Sequence, residues 1–203
     1  MKPEIFVPNF LTDKEVKSVL RSVLELKKYW VPFDKMYPEW GMLPLGLYYI
    51  PSQKYIWKMK PIMKNSFDWL YVKLKEVFNS DYHDDLSYPG FHVFARPGEK
   101  TSLNFHIDGF DHPLIRHTKI TSYILPITLP KEKTGLIYSV DNNLTNREAK
   151  EDGKEYQTFY YNVGDLCTWD GNLQHSMGTF NIGENESRIT LQFHVSDAGY
   201  IFW

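Results

Sequence analysis

The chain has 203 residues, 23 of them basic and 25 acidic, for a formal charge of −2. That length fits one sizeable core and is too short for two catalytic domains, and a net acidic chain lacks the basic footprint of a dedicated nucleic-acid binder. The one cysteine, Cys167, excludes an internal disulfide framework and a thiolate-rich zinc centre, and no run approaches the ~20 apolar residues that a membrane span needs.

These bounds predict a soluble, cytoplasmic protein with a single domain over residues 1–203. Within it, residues 1–80 read as helical support with an aromatic loop, and residues 89–203 as a β-rich core. The charge divides in the same way. Residues 1–80 carry 13 Lys/Arg against 8 Asp/Glu, and residues 81–203 carry 10 against 17.

Residues 4–10 read as a short strand or extended lead-in. Thr12 follows as a helix N-cap, with Glu15 three residues on completing a capping box. Val16, Val19, Leu20, Val23 and Leu24 then give the i, i+3, i+4, i+7, i+8 series of an amphipathic helix running to Lys28. Residues 29–45 hold Pro32, Pro38, Gly41 and Pro44 among aromatics and read as a structured loop. Leu45–Ile50 reads as a strand. A second helix is expected to start near Pro61, a residue suited to a first helical turn, with an apolar stripe of Met63, Phe67, Leu70, Leu74 and Val77. From residue 89 short β-rich runs alternate with turns, at 90–96, 101–108, 118–129, 134–140, 157–162, 164–170, 173–180 and 187–196. Close spacing of this kind predicts a sandwich or barrel. The polar stretch 141–155 reads as an exposed insertion, and it and the aromatic segment 29–60 are candidate lids.

Chemistry enters through the histidines. With seven His and 25 acidic residues, about one His-x-acid match arises by chance. Two occur. His83-x-Asp85 sits in a polar, loop-like stretch. His106-x-Asp108 ends a β-rich run, where residues two apart share a face. An imidazole and a carboxylate side by side supply two ligands of a mixed set suited to a divalent metal such as iron(II). Asp111 is a weaker alternative to Asp108, because it lies beyond the strand alternation. His175, in a strand–turn–strand context, offers the third ligand. Thirteen residues later comes Arg188. Alternation there puts Arg188, Thr190, Gln192 and His194 on one face, and Ile189, Leu191, Phe193 and Val195 on the other. An inward Arg is costly unless an anion meets it, and a carboxylate is its natural partner.

The ordered set His106, Asp108, His175 and Arg188 resembles the iron(II)/2-oxoglutarate-dependent dioxygenases. The segment 90–108 is similar to the strand, Pro-Gly turn, strand and HxD segment of the prolyl-hydroxylase-like branch. Residues 5–16 are similar to that branch's entry strand and first helix, and Gly164-Asp165 to the turn before the strand that leads to the distal His. The resemblance implies a mainly β fold with flanking helices: a double-stranded β-helix, or jelly roll, with N-terminal helices packed on one sheet. It implies iron(II) held by His106, Asp108 and His175, with 2-oxoglutarate as cosubstrate and dioxygen as oxidant. It also implies that Arg188 anchors the far carboxylate of the cosubstrate, assisted by Thr190 and Tyr123. The expected reaction hydroxylates an unactivated C–H bond of a peptide or small molecule, with release of succinate and CO2.

Three departures narrow this expectation. Alkylation-repair demethylases carry a second Arg where this chain has His194, which argues against a nucleic-acid substrate. Halogenases of this class replace the acidic ligand, and Asp108 retains it. The prolyl-hydroxylase branch has a Tyr where this chain has Ala95. Two other readings share the same residues: a cupin-like metal oxygenase or isomerase without 2-oxoglutarate, and a non-catalytic jelly-roll binding module.

Overall fold

The structure, a computed structural model, describes residues 1–32, 48–51, 53–79, 81–82, 90–94, 100–101, 107–108, 116–140, 156–177 and 180–202. His106, Asp111, the His83–Asp85 pair, Ala95 and the insertion 141–155 lie outside these residues, as does most of the aromatic loop.

Strand β1 (Glu4–Val7) leads to helix α1 (Asp13–Glu25). The capping box forms as the sequence predicts. Glu15 N donates to Thr12 Oγ1, and Thr12 N donates back to the Glu15 carboxylate at 2.8 Å, so two N–H groups that the helix leaves unpaired are satisfied together. The helix passes into a 3-10 turn over Leu26–Tyr29 and does not continue to Lys28. Val19 and Val23 are buried, while Leu24 is exposed.

Helix α2 spans Gln53–Phe78, so Pro61 lies inside it and not at its start. Proline costs about 3 kcal/mol in a helix interior, which is why a sequence reading begins the helix there. Phe67, Leu70 and Leu74 are buried as expected, with Tyr71 joining them, and Val77 is exposed. Lys73 Nζ reaches Glu15 at 2.9 Å and ties α2 to the first turn of α1. Among the described residues no helix is long and apolar enough to cross a membrane.

The remaining strands are β2 (Trp30–Pro32), β3 (Tyr48–Pro51), β4 (Asp81–Tyr82), β5 (Gly90–Phe94), β6 (Lys100–Thr101), β7 (Ile120–Thr128), β8 (Gly135–Ser139) and β9 (Tyr156–Tyr160). They continue with β10 (Leu166–Asp170), β11 (His175–Met177), β12 (Phe180–Asn181), β13 (Arg188–Ser196) and β14 (Tyr200–Phe202). Among the described residues the main sheet runs in the order β1-β10-β7-β13-β5-β3-β2, with β14 pairing β13 and β4 pairing β14. A second sheet has the order β11-β8-β9, and β12 pairs β6. Nearly all of this pairing is antiparallel, with β14 and β4 the parallel exception. The architecture is mainly β with two helices, and it is jelly-roll-like. The predicted run 173–180 divides into β11 and β12, and β14 falls where no strand was predicted.

Strand alternation sorts the side chains of the main sheet into two layers. Tyr123, Leu125 and Ile127 of β7 and Ile189, Leu191 and Phe193 of β13 cluster with Val19, Val23, Leu26, Phe67, Leu70 and Leu74 from the helical segments. A second apolar cluster joins Ile124, Cys167 and Trp169 of the main sheet to Leu136 of β8 and to Tyr161. The polar members of β13 lie on the face away from the helices.

Candidate functional site

Asp108 falls in the short described pair 107–108, which has no regular structure, so its side chain is not displayed from a strand as the sequence reading expects. It is held from outside. Its backbone N–H donates to Gly171 O at 3.0 Å, just beyond β10. Its carboxylate accepts from Ser122 Oγ at 2.5 Å on Oδ2 and from Gln192 Nε2 at 3.5 Å on Oδ1. Ser122 and Gln192 sit on β7 and β13, so the main sheet positions a carboxylate carried by a connecting segment.

His175 opens β11, opposite Tyr138 of β8. Its Nδ1 lies 2.8 Å from Leu173 O. A carbonyl only accepts, so Nδ1 carries a proton, and in the neutral form of the ring Nε2 presents the lone pair. That Nε2 faces Asp108 Oδ2 at 3.7 Å, and the two side chains are only 4% and 6% exposed. In that neutral form a lone pair and a carboxylate oxygen face each other in a buried corner, and both are electron-pair donors. That is the donor chemistry a divalent cation needs, and a carbonyl behind the imidazole is the usual means of aiming it. The Trp169 ring packs beside His175, with centroids 5.1 Å apart. Its indole N–H is buried without a hydrogen-bond partner among the described residues.

Arg188 opens β13 and is 3% exposed. Its Nη2 donates to Tyr161 Oη at 2.6 Å, and its Nη1 donates to Thr190 Oγ1 at 3.5 Å. The two hydroxyls fix the direction of the guanidinium, whose planar fork matches a carboxylate. Thr190 therefore stands beside Arg188 as the alternation predicts. Tyr123 does not. It points into the helix-side layer, stacked on Phe193 with centroids 5.3 Å apart and packed against Phe78 at 4.6 Å. Burial pushes its phenol pKa up, with a hydrogen bond to Thr168 working against that. Tyr123 is odd-numbered on β7, as Phe193 is on β13, and the two pair directly. It cannot share the face of Arg188. The phenol that reaches the guanidinium is that of Tyr161.

Gln192 and His194 complete the polar face of β13. His194 Nδ1 lies 3.0 Å from Ser122 Oγ, its cross-strand neighbour. Sequence reasoning missed Ser122 and Tyr161. A serine among apolar residues in β7 and a tyrosine one place past the end of β9 carry no pattern of their own. Their roles come from the pairing of distant strands.

The fold is shared with solved structures whose names include 2-oxoglutarate-dependent non-heme proteins and a 2OG-Fe(II) oxygenase family member. The α-ketoglutarate-dependent epimerase SnoN from nogalamycin biosynthesis aligns over 93% of this chain and 76% of its own, with 14% identity and a TM-score of 0.56. HygX from Streptomyces hygroscopicus, solved with nickel and 2-oxoglutarate, aligns over 93% and 79%, with 12% identity and a TM-score of 0.53. An oxidoreductase of the 2OG-Fe(II) oxygenase family from Burkholderia pseudomallei aligns over 92% and 81%, with 9% identity and a TM-score of 0.56. No protein-family model and no curated protein matches the chain in sequence.

Proposed function

We propose that the protein is an iron(II)- and 2-oxoglutarate-dependent oxygenase that hydroxylates a C–H bond of a small-molecule or peptide substrate, with release of succinate and CO2. The observation that carries this reading is the polar face of β13. One end of the strand holds Arg188 with Tyr161 and Thr190, and Gln192, four residues on, reaches the Asp108–His175 corner. At ~3.3 Å per residue, Arg188 and Gln192 lie about 13 Å apart along the backbone. Both side chains leave the same face of the strand, which suits a short dicarboxylate with one carboxylate at the guanidinium and its other end at a metal.

In this reading Asp108 and His175 are two metal ligands, and His106, two residues before Asp108, is the third. The main sheet and the β11-β8-β9 sheet are the two walls of a double-stranded β-helix, with the helices bracing the main sheet from outside. Iron(II) with 2-oxoglutarate supplies dioxygen activation coupled to oxidative decarboxylation. The chain's own residues bind and orient. Arg188 takes the far carboxylate in bidentate fashion, Tyr161 and Thr190 hold the guanidinium in place, and the buried corner keeps bulk water from the metal.

The test is spectroscopic. Anaerobic protein with iron(II) and 2-oxoglutarate is expected to show a weak visible charge-transfer band, lost in His175→Ala. No band at saturating metal and cosubstrate would overturn the assignment. Arg188→Ala is expected to weaken 2-oxoglutarate while leaving the metal bound, and equal loss of both would make Arg188 structural. Succinate release across a panel of amino acids, peptides and small metabolites then identifies the substrate.

A further inference from the structure

We infer that Ser122 and His194 form a positioning pair that sets the rotation of the Asp108 carboxylate toward the metal. The inference rests on the reading of Asp108 as a metal ligand and adds two residues to it.

The geometry gives the pair a direction. A carboxylate only accepts, so the Ser122 hydroxyl proton lies on the 2.5 Å bond to Asp108 Oδ2. With that proton committed, Ser122 Oγ accepts from His194, and the 3.0 Å contact places a proton on His194 Nδ1. Donation therefore runs from His194 through Ser122 to Asp108. The first two residues are rigidly placed. They are direct partners in the β7–β13 register, and they are 4% and 0% exposed.

Asp108 needs such a support. It sits outside any strand, and the backbone bond to Gly171 fixes its main chain while leaving the side-chain torsions open. The 3.5 Å contact from Gln192 is long and constrains Oδ1 weakly. The short bond from Ser122 is the stronger restraint. It comes from the sheet that also carries Arg188, so metal and cosubstrate are referred to one frame. Both residues act through Asp108 and not on the substrate.

Outer partners of metal ligands typically change metal affinity by about 10–100-fold when removed. The test titrates cobalt(II) into metal-free protein without 2-oxoglutarate, reading affinity and the visible cobalt spectrum, alongside the melting temperature of the metal-free form. Ser122→Ala and His194→Leu are expected to weaken cobalt(II) by about 10–100-fold and to alter its spectrum. His194→Asn places an amide N–H close to where Nδ1–H stands and is expected to restore affinity and spectrum towards wild type. Wild-type cobalt(II) affinity in Ser122→Ala would overturn the pair, as would His194→Asn binding no better than His194→Leu. Losses that merely track the melting temperature of the metal-free form would also overturn it. If the unaltered protein binds no cobalt(II), the metal-site reading falls and the pair falls with it. If it binds and the variants bind equally, the pair alone fails.

Discussion

Tyr161 accepts a 2.6 Å hydrogen bond from the Arg188 guanidinium across 27 residues of sequence. Hydrogen bonds to charged groups contribute about 1.5–3 kcal/mol, which corresponds to roughly 10–100-fold in an equilibrium constant. Tyr161→Phe keeps the ring and releases one end of the guanidinium. It is expected to weaken 2-oxoglutarate about tenfold while leaving cobalt(II) affinity unchanged. Titration calorimetry with and without metal separates the two, and unchanged cosubstrate affinity would show that Thr190 alone is enough to orient Arg188.

Tyr123 provides the contrast. Its ring belongs to the helix-side layer between Phe78 and Phe193. Tyr123→Phe removes a hydroxyl that bonds within that layer, so a loss of about 1 kcal/mol in folding stability is expected, with no change in cosubstrate affinity. A marked drop in 2-oxoglutarate binding with stability intact would contradict the placement.

Cys167 lies in β10, fully buried, with its pKa pushed up to about 12 by burial and then by the Asp165 charge. A thiol held protonated in an apolar layer is a poor nucleophile. The folded protein is expected to resist a thiol-specific disulfide reagent at mildly alkaline pH and to react once unfolded by denaturant. Rapid stoichiometric labelling of the folded protein would mean that β10 opens.

Glu15 predicts a pH dependence. Burial raises its pKa, but hydrogen bonds from the Thr12 backbone and from Lys73 outweigh that, and the net value lies below the ordinary 4.5. A carboxyl whose folded pKa is lowered adds stability above its unfolded pKa and loses that stability as pH falls through the folded value. Glu15→Gln is therefore expected to cost ~1 kcal/mol near neutral pH, the usual size of a cap with a partly exposed ion pair. The gap from wild type should close in acid. Denaturant midpoints at neutral pH and below the carboxylate range measure it, and a pH-independent gap would assign the effect to packing.

Much of this was legible in the sequence because it depended on period-two alternation within one strand. Arg188, Thr190, Gln192 and His194 could be placed on one face from their spacing alone, and the structure keeps them there. The capping box at Thr12 was local in the same sense. What escaped was non-local or against propensity. Pro61 reads as a helix start, yet α2 runs through it from Gln53. The resemblance points to Tyr123, but the β7–β13 register sets Tyr123 opposite Phe193 on the helix side, and the phenol at Arg188 is that of Tyr161. Asp108 was expected on a strand, and its position depends on Ser122 and Gln192, 14 and 84 residues away in the chain.

Strand β13 lies between β7 and β5, two strands that precede it in the chain. Both the guanidinium end and the carboxylate corner take a residue from it. Until β13 inserts, β7 and β5 have no ladder between them, and Ser122 has no His194 across from it. The Asp108–His175 corner is thus completed by pairings between strands distant in the chain, a kind of contact that forms slowly. A nascent chain halted before Arg188 would carry Asp108 and His175 without the Gln192 contact and without the Ser122–His194 pair that β13 completes.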